Sequence, residues 1–231
     1  MGTPRPLPSS TPSGRILQPA LSDVPVFPLP SVVLFPGGLL PLHVFEPRYV
    51  AMVRHALATH RRIVVAPIVL GHADANGNPP IADVAGLGVI VDHTDLPDGR
   101  INLVLRGEAR VRVRELAYVP PFRRVSATVL PDEGELPDES DVMALAAVAS
   151  TFANEVRLQN PSFDFSVPAV LPRDRAADIL AHYLVVDPIV RQGLLETRST
   201  RERLEKTMKA LLAQRDLMRD ADEEKTAKIL N

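Results

Sequence analysis

Cysteine is absent from all 231 residues, which excludes a disulfide framework, a thiolate nucleophile and any cysteine-ligated metal. No apolar run approaches the roughly 18 residues that a membrane-spanning helix needs. The formal net charge of −2 supplies no global attraction to nucleic acid or to an anionic membrane. Lysine occurs only as Lys206, Lys209, Lys225 and Lys228, all in the last helical stretch, a poor place for the buried base of a Ser-Lys dyad. No Gly-rich loop ends in Gly-Lys-Ser/Thr, so a nucleotide P-loop is unsupported. The histidines, His43, His55, His60, His72, His93 and His182, form neither HExxH nor another compact ligand pattern. Asp74, Asn76 and Asn78 echo a calcium loop, but Pro79 stands where the turn glycine is required and Ala85 where the terminal carboxylate belongs. The chain is therefore expected to have no catalytic residues, no metal site and no cofactor.

What is present is an ordinary globular balance, 45% apolar and 23% charged, with enough length for one or two domains. Two are expected. Residues 1–23 hold Pro4, Pro6, Pro8, Pro12 and Pro19 among Ser and Thr, without the basic start and apolar run of a secretory signal. This stretch reads as a loose tail, and the protein as soluble and cytoplasmic.

Residues 24–131 read as a β-rich domain. Short apolar runs end at Gly and Pro, and Val111 and Val113 alternate with Arg110, Arg112 and Arg114 at the period of a strand. Prolines at 25, 28, 30, 36 and 41 argue for edge strands and turns, since each lacks the N–H a neighbour needs. One helix opens at Pro47, which suits a first helical turn. Many short strands interrupted by one helix predict a closed or partly closed β-barrel. Residues 132–141 are acidic, with Gly134 and Pro137, and read as a linker. Residues 142–219 carry helical stripes: Val142, Leu145, Ala149, Phe152 and Val156; then Ala177, Leu180 and Leu184; then Leu204, Met208, Leu211, Leu212 and Met218. Asp187-Pro188 predicts a capped short helix, and Ser199 with Glu202 a capping box. Residues 220–231 form a charged terminal extension.

The ordered runs Val26-Phe27-Pro28-Leu29-Pro30, Val33-Leu34-Phe35-Pro36-Gly37 and Leu40-Pro41-Leu42-His43-Val44-Phe45-Glu46-Pro47-Arg48-Tyr49 closely resemble the signature of the Lon substrate-binding domain family. Ala177-Asp178-Ile179-Leu180-Ala181, Gln192-Gly193-Leu194-Leu195-Glu196 and Arg201-Glu202-Arg203-Leu204 extend the likeness, which spans about Val24 to Met218. The resemblance implies an α+β protein, a PUA-like β-barrel followed by a carboxy-terminal α-helical bundle, that contacts polypeptides. In Lon an ATPase and a Ser-Lys protease follow this region; the sequence ends at Asn231 with neither, and is read as a stand-alone member that is not an enzyme.

The signature residues Pro28, Leu29, Phe35, Pro36, Gly37, Pro41, Leu42, Phe45, Glu46, Arg48 and Tyr49 are read as fold-forming. Leu29, Phe35, Leu42 and Phe45 are tempting client contacts, but burial in the barrel is expected of them. The function implied is noncatalytic recognition of nonnative or regulatory polypeptides, as an adaptor or holdase-like factor in protein quality control. A different class of function rests on Arg110, Arg112 and Arg114, a basic strand face that could hold RNA phosphates. Glu108 and Glu115 interrupt that face, and no aromatic residues interleave to stack bases. No membrane partner is expected. An apolar helical stripe closes an intramolecular bundle as readily as a dimer interface, so oligomeric state stays open.

Overall fold

The computed structural model describes residues 21–229, with side chains through Asp220. The expected tail, apart from its last three residues, and the side chains of the expected terminal extension beyond Asp220 lie outside the described residues. In chain order the elements are β1 (Leu21–Leu29), β2 (Leu39–Val44), α1 (Pro47–Ala58), β3 (Arg62–Pro67), β4 (Val84–Asp95), β5 (Ile101–Glu115), β6 (Arg124–Val129), α2 (Glu139–Gln159), α3 (Ala176–Leu184), α4 (Pro188–Glu196) and α5 (Thr200–Ile229). The α+β class and the order of strands before helices follow the sequence pattern.

The barrel expectation is corrected. Among the described residues six strands form one sheet in the order β2-β5-β4-β3-β1-β6, and β2 pairs there on one side only, so the sheet keeps a free edge instead of closing as a simple barrel. The reason is the length of β5. Its first part, Ile101–Arg106, pairs with β2, and its last part, Val111–Glu115, pairs with β6. A strand that serves two neighbours in succession curls the sheet and leaves β2 outside the curl.

The proline-bearing β1 lies between β3 and β6 and not at an edge. It accommodates its prolines by changing partner midway: Leu21, Val24 and Pro25 match β6, whereas Val26–Leu29 run parallel to β3. Neither ladder asks for every N–H of the strand.

After β1 the segment Val33-Leu34-Phe35 crosses the sheet. A side chain on Gly86 would collide with the Leu34 carbonyl, and one on Gly107 with the Phe35 carbonyl. Glycine at these points lets two backbones touch. Leu34 then faces the core between the sheet and α1, with Met52, Ile63 and Leu105. Phe35 faces the other way, into the core shared with α2, α3 and α4. The signature thus stitches the sheet to the helices, and the two halves share apolar packing.

Helix ends follow their sequence signals. Pro47 and Pro188 occupy first turns, and Asp187 accepts from the N–H groups of Ile189 at 2.7 Å and Val190 at 3.1 Å. Ser199 accepts from Glu202 N–H at 3.3 Å, and Glu202 pairs with Lys206 at 2.8 Å. The acidic stretch 132–141 is tied down. Glu135 and Pro137 carbonyls accept from Thr200 and Arg173, and α2 already begins at Glu139 within it.

Candidate functional site

The arginines of β5 part company. Alternation does place Arg110, Arg112 and Arg114 on one strand face, but the helices cover the Arg110 end of it. Arg110 is 1% exposed and belongs to no open basic surface, which corrects the expected contact face. Its Nε donates to the Leu195 carbonyl at 3.1 Å, its other nitrogens pair with Asp178 at 2.7 Å and with Asp132. Arg203, fully buried, lies 2.9 Å from Asp178 and 3.0 Å from Asp132. Burial pushes the Asp178 carboxyl up, while Arg110 and Arg203 oppose this by favouring its charge. This is a bonded seam between sheet and helices. Arg112 and Arg114 stay exposed, in a hollow also lined by Asp83 and Glu115.

The signature residues have mixed fates. Pro28, Phe35 and Pro36 are buried, Leu29, Leu42 and Tyr49 are half-buried, and Pro41 and Arg48 are exposed. Gly37 adopts φ +83°, a conformation that suits glycine. Phe45, expected in the core, is 63% exposed, because β2 has ended at Val44 and the chain turns out toward α1. Glu46 caps α1 through its backbone only; its carboxylate instead pairs with Arg48 at 2.9 Å. The Arg48 guanidinium lies 4.6 Å above the Tyr49 ring, which packs at 4.4 Å on Phe27. Burial raises the Tyr49 hydroxyl above its ordinary range.

Among the described residues no group of three or more His, Cys, Asp or Glu could hold a metal ion. The Asp74 carboxylate is engaged by Asn76 and Asn78 N–H groups at 2.8 and 2.9 Å. These bonds hold it at about 2, and the loop is an Asx-type turn.

The open apolar surface lies elsewhere. A groove of about 450 Å³ between α2, α3 and α5 is walled by Phe152, Val156, Phe163, Tyr183, Val186 and Leu217. A second, of about 520 Å³ between α4 and α5, is lined by Val190, Leu194, Ala210 and Ala213, with Lys206 and Lys209 among its walls. Gln214 and Leu217 line both. Val186 is 75% and Leu217 69% exposed, a concentration of apolar side chains at solvent that marks interaction sites on soluble proteins. Sequence periodicity missed these residues. Their signal was weak but present: Leu217 sits beside the buried stripe of α5 instead of on it, and Val186 follows the end of α3.

Tyr183 links this groove to the sheet. Its ring stacks on Phe165 at 4.6 Å, and its hydroxyl accepts from Leu39 N–H at 3.1 Å at the start of β2. The neighbouring His182 donates from Nε2 to the Leu39 carbonyl at 3.0 Å. Burial lowers the His182 pKa to about 4, and the nearby Arg191 guanidinium adds to that effect. Arg191 itself donates to the carbonyls of Val33, His182 and Val185. No helix among the described residues is long and apolar enough to cross a membrane.

A family model described as the ATP-dependent protease La (LON) substrate-binding domain matches residues 23–213. The Lon protease of Rhizobium meliloti is 25% identical over 187 residues, which cover 80% of this chain and 23% of that protein. The Lon protease of Roseiflexus castenholzii is 28% identical over 229 residues, 95% of this chain and 27% of that protein. The chain thus spans about a quarter of the length of these relatives. Among solved structures, the N-terminal domain of a Mycobacterium avium complex Lon protease superposes with a TM-score of 0.60 at 21% identity, covering 82% of this chain and 97% of that one. A Lon N-terminal domain protein from Xanthomonas campestris gives 0.58 at 26% identity, with 80% and 96% covered.

Proposed function

The chain belongs to the Lon substrate-binding domain family, and from that premise we propose that it recognises polypeptides without cleaving them, taking exposed apolar segments of nonnative or regulatory chains. The observation that supports this most directly is the pair of apolar grooves meeting at Leu217. Buried apolar contact contributes roughly 25 cal/mol per Å², less the cost of association and ordering. A groove of this kind therefore gives modest affinity and little sequence preference. That combination suits an adaptor or a holdase in protein quality control, which must engage many clients and release them.

The RNA reading loses a main support, because Arg110 faces Asp178 and Asp132 and not solvent. Arg112 and Arg114 remain exposed in a hollow that also holds carboxylates.

The reading is tested with a permanently unfolded, carboxymethylated polypeptide and its native counterpart, each fluorescently labelled and titrated with the protein. Binding of the unfolded form alone is expected, with the negative heat-capacity change of apolar burial. Equal failure of both forms, alongside tight retention of a metabolite or an RNA, would overturn it.

A further inference from the structure

Among the described residues, β2 has unpaired main-chain groups on one side. In its antiparallel register with β5, Leu40, Leu42 and Val44 stand opposite Leu105, Leu103 and Ile101. The Gly107 N–H donates to the Gly38 carbonyl just before the strand, so the even-numbered residues of β2 bond toward β5. Main-chain groups alternate sides along a strand, so those of Leu39, Pro41 and His43 point away from the sheet. Leu39 is satisfied by the Tyr183 hydroxyl and the His182 ring. Among the described residues, Pro41 C=O and both main-chain groups of His43 have no such partner.

The side chains around this edge are amphipathic. On one face Leu40 and Leu42, half-buried, pack against the core under α1. On the other, His43 bonds Asn102 at 2.7 Å, with Thr94 and Asp92 alongside. Exposed Leu39 and Phe45 bracket the strand. Because Tyr183 both walls the α2–α3–α5 groove and caps Leu39, the edge begins where that groove ends.

We propose that the free edge of β2, from Pro41 to His43, captures an extended polypeptide by strand addition. The client donates N–H groups to the Pro41 and His43 carbonyls and accepts from the His43 N–H. Its alternate apolar side chains complete the cover of Leu40 and Leu42. The inference rests on the polypeptide-recognition reading and deepens it by naming the chemistry recognised, an unpaired main chain. A folded protein keeps its main-chain groups in its own ladders and helices. A nonnative chain offers them with any sequence, so strand addition separates the two without reading side-chain identity. Pro41 limits the edge to a short length, which keeps it from pairing indefinitely with copies of itself.

The probe is a soluble synthetic peptide of alternating valine and threonine between lysine ends, titrated onto the full chain. His43→Pro removes the edge N–H and leaves the β5 ladder intact, since His43 does not bond β5; His43→Ala removes only the side chain. Wild type and His43→Ala are expected to bind alike, and His43→Pro about tenfold more weakly, the scale of one main-chain hydrogen bond. A fully N-methylated peptide with the same side chains should lose binding. The His43 amide of the wild-type protein, followed by NMR, should become protected from hydrogen exchange by the parent peptide, a readout that needs no variant. Binding that leaves the His43 amide unprotected and tolerates N-methylation would overturn strand addition while leaving recognition by the grooves standing. If neither this peptide nor a carboxymethylated unfolded polypeptide binds the wild-type chain, the recognition reading falls with it.

Discussion

At the Arg110 end of the boundary between sheet and helices, Arg110 and Arg203 are out of solvent and each pairs with the buried Asp178 carboxylate. At the Tyr183 end, Val186 and Leu217 meet solvent across a groove. Both ends join the same two layers, so the difference lies in what each is built to do. Buried charges cost several kcal/mol each to desolvate and stabilise only as a complete set. A set of this kind fixes how two layers sit. Exposed apolar side chains fix nothing within the chain and gain only when a partner covers them.

The sharpest way to break this contrast is at Arg110. Arg110→Ala leaves Asp178 in the interior with one fewer counter-charge and should cost about 3–5 kcal/mol, read as a fall in the urea midpoint. Arg112→Ala, on the same strand face but exposed, should stay within about 0.5 kcal/mol. Equal effects for the two would mean that the seam has no special role.

A second effect, in pH, belongs to the open end. His182 is buried, and with Nε2 donating to Leu39 its Nδ1 has no hydrogen-bond partner among the described residues. A proton added there would be an unpaired buried charge, which is why its pKa falls from 6.5 to about 4. Between those values the unfolded chain binds the proton and the folded chain does not. Stability is therefore complete above pH 6.5 and is lost as pH falls toward 4, by about 3 kcal/mol across the window. Urea denaturation at a series of pH values checks this. His182→Gln, which keeps a donor for Leu39, should flatten the dependence from this group.

How much of this could be read from the sequence depends on whether a residue's neighbour is local. Pro47, the Asp187 cap and the Ser199 cap were legible because their partners lie within a turn. The face shared by Arg110, Arg112 and Arg114 was legible too, since alternation needs only the strand. That the helices cover Arg110 and not Arg112 was not, because Asp178 and Arg203 arrive from 68 residues or more along the chain. The barrel expectation failed for a related reason: a run of alternating residues says that β5 is a strand, but not that it serves two partners in turn. The grooves were hidden by the same stripes that located the helices, which report what is buried and pass over what is left beside them.

Gly107 sharpens the contrast from the side of the signature. Its N–H and carbonyl both bond the Gly37-Gly38 turn, and the Phe35 carbonyl lies where its Cβ would be. Gly107→Ala should push the crossing segment off the sheet at a cost of about 1–3 kcal/mol. Gly193→Ala, where an added Cβ meets nothing within 4 Å among the described residues, should carry no measurable cost, better helix propensity favouring the variant. Thermal melts of the pair separate close approach of backbones from a general intolerance of larger residues.

Only a small effect on stability is expected at Leu217, and it carries the most weight for function. Its side chain is 69% exposed and lines both grooves, so Leu217→Asp removes little buried area and should change the unfolding free energy, read by urea denaturation, by less than about 0.5 kcal/mol. The carboxylate placed there would have to be desolvated by any apolar segment lying across the junction of the grooves. Affinity for a carboxymethylated unfolded polypeptide should then fall about tenfold or more. A variant that folds as well as wild type but binds less is what an exposed recognition residue gives, and the reverse of what Arg110→Ala gives at the seam. If Leu217→Asp instead lowered stability and left binding unchanged, Leu217 would belong with the fixed end of the boundary, and the grooves would be incompletely filled packing between helices.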